Sequence, residues 1–374
     1  MVQQSSFYAL LGGVKPMQVI VDAVNAKYNN TAWKRDFVWG REQLDLNFNV
    51  LSSQVGIAAM AAVIDMNAPK PLRNVRGISH YGGSIPKFGH AFDVDETDMR
   101  NQQYLIANGG AYDPAVIADV FFKNIDSLIQ GAHARLNNMA EQARSTGSIV
   151  VNGTNNPDGT PSYVNVDLRV PAANKKKAGF GQTTPAAWTD LTDGNPIQDL
   201  IDMVKYADDN GIMYGAFEMS KTLWNSFIVH PAVTSFVKGR LQIQSGVAYA
   251  IGERDVRAAL DGFNLPPIVI SDNRQSVEID GVNSILTDPA FDAGNVILRP
   301  SAVLGEVKNA ISMHRMAPSD PLNVRTTAEQ GRFALLSTWD SKSLINHVEL
   351  ECLAIPTLSN PKNLVILDTT EAHS

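Results

Sequence analysis

Five residues in one short stretch have the types that hold metals. Within "RGISHYGGSIPKFGHAFDVDE", residues 76–96, stand His80, His90, Asp93, Asp95 and Glu96. Imidazoles and carboxylates this close together would make a ligand set for zinc, manganese or iron, and the chain a metal-dependent enzyme. The spacing argues otherwise. Phe88, His90, Phe92 and Val94 alternate with Gly89, Ala91, Asp93 and Asp95, the period-two pattern of a strand. His90 then shares a face with Phe92 and Val94, while Asp93 and Asp95 point the opposite way, so a strand without a bulge offers no single ion both sets. Asp95-Glu96-Thr97-Asp98, followed by Arg100, suits the start of a helix, where acids favour the positive end of the dipole. No metal ligand and no cofactor is expected.

Other chemistry is equally absent from the motifs. "GFGQTT" at 179–184 lacks the lysine and the preceding strand of a phosphate-binding loop, and there is no H-E-x-x-H, G-x-S-x-G or dinucleotide fingerprint. Cys352 lies in "HVELECLAIP", the apolar context of a buried and inert thiol. Asn155, Asn156 and Asp158 lack the spacing of a calcium loop and belong to a turn. No catalytic residue is expected.

The elements around the histidine stretch explain it better. "YGGS" at 81–84 supplies a turn, and "NVRGISHY" the other leg of a hairpin. Pro86 donates nothing to a ladder, which places the strand at an edge. A long, glycine-rich ribbon of two strands is at best marginally stable in water, so something must lie against it. Residues 1–70 show no sustained period and read as an arm. After Asp113-Pro114, apolar residues recur at helical spacing from Ile117 to Ala143, predicting a helix of about thirty residues, ~45 Å long. Residues 147–170 form a second hairpin around "NNPDGTP". Alternating helices and strands follow over 188–305, with Gly211 as a helix stop and Pro231 breaking a helix. The strand-rich tail, 306–374, is expected to return to the hairpin and the long helix.

Composition bounds the whole. The chain has 374 residues, enough for two or three domains. Charged residues make up 18%, below the typical ~25%, a figure that fits a subunit whose surface is covered by neighbours and also a compact monomeric enzyme. A net charge of −7 argues against a dedicated nucleic-acid binder, and Lys175-Lys176-Lys177 reads as a solvated loop. A single cysteine excludes an intrachain disulfide and fits a reducing compartment. The N-terminus lacks a signal-peptide pattern, and the apolar run 55–64 is too short to span a bilayer, so a protein made in a cytosol is expected.

Taken in order, these stretches resemble the major capsid protein E family of tailed bacteriophages, typified by the lambda major capsid protein. "GGSIPKFGHAFDVDETDMR" resembles the family's extended loop leading to its spine helix. "TDGNPIQDLIDM" and "FEMSKTLWNSFIVHPAVTSFV" resemble its central domain, with Met219, Trp224 and Pro231 as landmarks. "NVILRPSAVLGEV" resembles the strand leaving that domain, and "CLAIPTLSNPKNLVILD" the closing tail. The resemblance implies an α+β chain of the Hong Kong 97 phage capsid fold. It implies an N-terminal arm at 1–70, an extended loop at 71–98, a peripheral domain at 99–187 and 306–374 with a spine helix at about 114–145, and an axial domain at 188–305. Such subunits form hexamers and pentamers of an icosahedral shell around double-stranded DNA. The expected partners are other copies of the chain, a separate scaffolding protein, a portal and a decoration protein, with only non-specific contact to DNA and none to membrane. The expected location is the virion, after assembly in the bacterial cytoplasm. The extended loop is expected to meet a neighbouring subunit through Arg76, Ile78, His80, Tyr81, Ile85, Lys87, Phe88, His90 and Phe92. A metal-dependent enzyme, or another phage shell component, is the alternative.

Overall fold

The computed structural model describes residues 14–52, 79–97, 100, 114–156, 164–242, 251–279, 282–286, 290–301, 303–316, 323–340 and 342–373. Contacts divide the chain into two compact units. One comprises Met1–Phe48, Gly83–Asn137 and Glu306–Pro356, the other Asn49–Gly82, Asn138–Gly305 and Thr357–Ser374.

The first unit is built on a six-stranded sheet. In it β1 (Phe37–Gln43), β13 (Gly305–Ala310), β16 (Ile345–Leu358), β15 (Phe333–Asp340) and β14 (Asn323–Ala328) lie side by side, and β4 (Lys87–Val94) pairs antiparallel with β16. Phe333 and Leu335 on β15 and Val348, Leu350 and Cys352 on β16 are buried, the period-two pattern of a covered face. Two short helices precede the sheet, α1 (Val14–Ala26) and α2 (Ala32–Asp36). Gln18 of α1 pairs like a backbone with the outer strand β14. Its carboxamide nitrogen donates to the Thr327 carbonyl at 2.6 Å, and its oxygen accepts from the Thr327 amide at 3.0 Å. Ile20, Val21 and Val24 of α1 are buried. Residues 14–48 belong to the stretch expected as an arm. Within it Trp33 and Phe37 sink into this unit, because large aromatic surfaces gain most from leaving water.

The predicted long helix is present as α3 (Pro114–Ser145), ~48 Å at 1.5 Å per residue. Its residues up to Asn137 belong to the first unit. There Ile125, Leu128, Ile129, Ala132 and Leu136 make the buried stripe of an amphipathic helix.

The histidine stretch departs from expectation in its pairing. β3 (Ser79–Ser84) and β4 do not form a free-standing hairpin. β3 pairs with β2 (Asn47–Ser52), and β4 with β16, from Lys87↔Leu353 to Val94↔Asn346. A side chain at Gly89 would strike the Leu350 carbonyl, so glycine here serves close strand approach. The turn holds Pro86, whose carbonyl accepts from the Ala354 amide at 3.2 Å, and β4 is an outer strand among the described residues, as Pro86 suggested.

The second unit contains a mixed five-stranded sheet in the order β7 (Lys175–Ala178), β17 (Val365–Ala372), β12 (Asn295–Arg299), β8 (Ala216–Ser220), β9 (Ile268–Ser271). The outer pairs are parallel, and β12 runs antiparallel to both neighbours. Helices α4 (Pro196–Asn210), α5 (Lys221–Val229), α6 (Pro231–Arg240) and α7 (Glu253–Asp261) contribute Leu200, Trp224, Val233, Val256 and others to its core. Local chemistry sets their ends. Asn195 caps α4 with Pro196 in its first turn, Gly211 stops it with φ 62°, and His230-Pro231 separates α5 from α6. Two antiparallel hairpins complete the unit, β5 (Ser148–Val151) with β6 (Val164–Asp167), as predicted, and β10 (Ser276–Ile279) with β11 (Val282–Ile285).

Two readings are corrected here. The lysine run is not a loop, because Lys175, Lys176 and Lys177 pair in register with Ile366, Leu367 and Asp368. An outer strand tolerates lysines, whose charge discourages further pairing. The last strand, expected to return to the long helix with the rest of 306–374, instead lies between β7 and β12, where Val365 and Leu367 are fully buried. Among the described residues no helix is long and apolar enough to cross a membrane.

Candidate assembly surface

The expected interface residues sort into three groups. Arg76 and Ile78 lie outside the described residues. Tyr81 and Ile85 are only 5% exposed, and both are engaged within their own chain. The Tyr81 hydroxyl donates to the Leu358 carbonyl at 2.7 Å, and burial pushes its pKa up; the Ile85 amide donates to the Leu46 carbonyl at 2.7 Å. Their apolar bulk explains the difference from expectation, since it stabilises more when buried locally than when held out for a partner. His80, Lys87 and His90 are exposed, and Phe88 and Phe92 half-buried.

β4 presents its two faces differently. Phe88, Phe92 and Val94 turn toward protein, and Val94 is fully inside. His90 lies over Gly131 of α3, where a side chain would collide with the imidazole. On the other face Asp93 meets His347, its cross-strand partner, at 2.5 Å. Glu96 and Arg100 pair at i,i+4, as helical geometry allows. Three of the five residues first considered as metal ligands, His90, Asp93 and Glu96, thus lie against different neighbours. Among the described residues no group of three or more His, Cys, Asp or Glu side chains is placed to hold a metal ion.

Buried charge is where the sequence reading fell short. Glu351 accepts from Ser312 Oγ at 2.7 Å, lies 2.8 Å from His314 Nε2 and pairs with Lys87. Burial pushes its pKa up, but Lys87, Ser312 and His314 outweigh that and hold the carboxyl below its ordinary value. Glu329 closes the β14–β15 turn in a left-handed conformation, φ 51°, followed by Gln330 at φ 57°. Lys34 Nζ lies 2.7 Å from one carboxylate oxygen, and Trp39 donates to the other at 3.0 Å. The Trp33 indole donates to His133 Nδ1 at 3.1 Å, which leaves the proton on Nε2, 3.5 Å from Glu329. Burial lowers the pKa of His133, so its ring is neutral. In the second unit Glu218, wholly buried, lies 2.8 Å from Arg144 and 2.6 Å from Arg299. Nearby Glu141 accepts from Ser271, Asn273 and Gln275, and burial raises its pKa.

The signal for these groups was in the sequence. "AFEMS", "NVILRP" and "ELECLAIP" each set a charge in an apolar strand, where it needs a buried partner. Cys352 is fully buried, and desolvation drives its thiol well above the ordinary range. What the arrangement does is lock strands to one another and leave a sheet edge outside.

A family model for phage major capsid protein E matches residues 17–369. The chain belongs to this family. It is a major capsid protein of a tailed phage, a structural subunit that self-associates into the virion shell. Its fold is the α+β Hong Kong 97 type that the resemblance implied. A crystal structure of a phage-related protein from Bordetella bronchiseptica RB50 shares it, with a TM-score of 0.51 and 14% identity over 94% of this chain and 97% of that one. The putative capsid protein of a prophage of E. coli CFT073 aligns at 11% identity over 98% and 99% of the two chains, TM-score 0.48. The capsid of Myoviridae phage XM1 aligns at 13% identity over 90% and 91%, TM-score 0.41. No curated protein matches the sequence.

Proposed function

We propose that this capsid subunit assembles, in the cytoplasm of its bacterial host, into hexamers and pentamers that close an icosahedral shell around double-stranded DNA. A separate scaffolding protein, a portal and a decoration protein are its partners in this reading, and the subunit contributes structure rather than catalysis. The single observation that carries it is the family match along nearly the whole chain. The outer strand β4 supports it, with Lys87, Phe88, His90 and Phe92, together with the exposed His80 of β3, as the residues that meet a neighbouring copy. In the same reading 188–305 is the axial domain, and α3 is the spine of the peripheral domain.

Electron microscopy of the purified protein tests this directly. Closed particles with six- and five-fold capsomers are expected. A folded protein that stays monomeric at high concentration would sink the proposal. Replacing His80 and His90 together by Asp should leave the subunit folded and hinder closure.

A further inference from the structure

We propose that a second copy of this chain docks on an apolar patch beside the β1–β2 turn. The inference rests on the shell-subunit reading and names a contact face for it. Two elements of the first unit make the patch, the turn after β1 and the short helix Met313–Met316. The Ile311 amide donates to the Gln43 carbonyl at 2.9 Å, and Arg315 pairs with Glu42 at 2.7 Å, which sets turn and helix side by side. On them Leu44 is 71% exposed, Leu46 51%, Met313 68% and Met316 53%. Single exposed aliphatic residues are ordinary, but four on two elements held side by side, all more than half bare, mark a contact surface.

The surroundings select the partner. The patch is rimmed by charges that already satisfy one another, Glu42 with Arg315, and Glu351 with Lys87 and His314. An apolar centre with a polar rim is the anatomy of a protein interface. A rim already paired gives phosphates little to bind, which disfavours nucleic acid as occupant. The patch is also continuous with the turn into β4. The Ile85 amide donates to the Leu46 carbonyl at 2.7 Å, and Glu351 holds both Lys87 of β4 and His314 of the short helix. Every subunit of a shell carries this face, so its cover must be present in equal number. A second copy meets that requirement by construction. Two methionines suit the task, because an unbranched thioether chain repacks against neighbours set at slightly different angles, as six-fold and five-fold surroundings demand.

The buried Cys352 leaves a silent background for thiol labelling. Met313→Cys and Leu44→Cys variants should react freely with a maleimide as dispersed subunits and at least ~10-fold more slowly in assembled particles, as expected of a buried interface centre. Equal rates in both states, or protection already present in dispersed subunits, would overturn the proposal. Leu44→Asp combined with Met313→Asp should keep wild-type hydrogen-exchange protection of the sheet yet raise the assembly threshold ~10-fold or more. Normal assembly of that variant also overturns it. Wild-type protein that never forms particles instead defeats the shell-subunit reading beneath it.

Discussion

Replacing Glu329 by Gln isolates one buried charge and gives it a measurable size. Burial alone would raise the Glu329 pKa, but His133, Lys34 and Trp39 together bring it from 4.5 down to about 2. At ~1.4 kcal/mol per pH unit, that displacement is worth ~3 kcal/mol of stability to the first unit. The folded pKa is depressed, so the contribution is complete above pH 4.5 and disappears as pH falls through about 2. Glu329→Gln keeps the shape of the side chain, loses the charge, and leaves Lys34, 19% exposed, without its counter-ion. The variant should be ~3 kcal/mol less stable at neutral pH, and the gap should close to ~1.5 kcal/mol by pH ~3. Hydrogen exchange over 323–340 reads this, since it follows the β14–β15 turn and not the second unit. A gap that stays constant from neutral pH to pH ~3 would refute the reasoning, and so would one below ~1 kcal/mol.

Three further outcomes are expected. Glu218→Gln removes the carboxylate that Arg144 and Arg299 share in a closed interior, and should cost ~3–5 kcal/mol in denaturant unfolding of the second unit. Gly89→Val forces a side chain against the Leu350 carbonyl, so amides of β4 should lose their exchange protection while those of β14 and β15 keep theirs. Gln18→Ala removes both hydrogen bonds to Thr327, and should speed exchange at the Thr327 amide by ~5-fold, about 1 kcal/mol, without disturbing the second unit.

Much of the local structure was legible because its causes are local. Asn195-Pro196 and Gly211 bracket α4 through capping chemistry acting within a few residues, and Pro231 splits a helix wherever it stands. The alternation of Phe88, Phe92 and Val94 announced a strand, and the apolar period after Pro114 announced a helix of the observed length. Local pattern says what an element is but not what it pairs with. Hence β4 was foreseen, but its partner β16, more than 250 positions away in sequence, was not. The lysine strand was missed for the same reason. Its composition argues for a loop, and only β17 alongside makes it a strand.

The sequence by itself determined the family, the long helix and most other element types, the absence of a recognised catalytic motif and the outer position of the Pro86 strand. Those depend on residue order and on short-range sterics, which a single chain displays in full. Only the tertiary structure decided which charges are buried together. Glu218 draws Arg144 and Arg299 from segments some 75 to 80 positions away, and Glu329 draws Lys34 and His133 from segments roughly 200 to 300 positions away. A carboxylate taken out of water needs a cation or hydrogen-bond donors wherever the fold supplies them, and that choice is made in space.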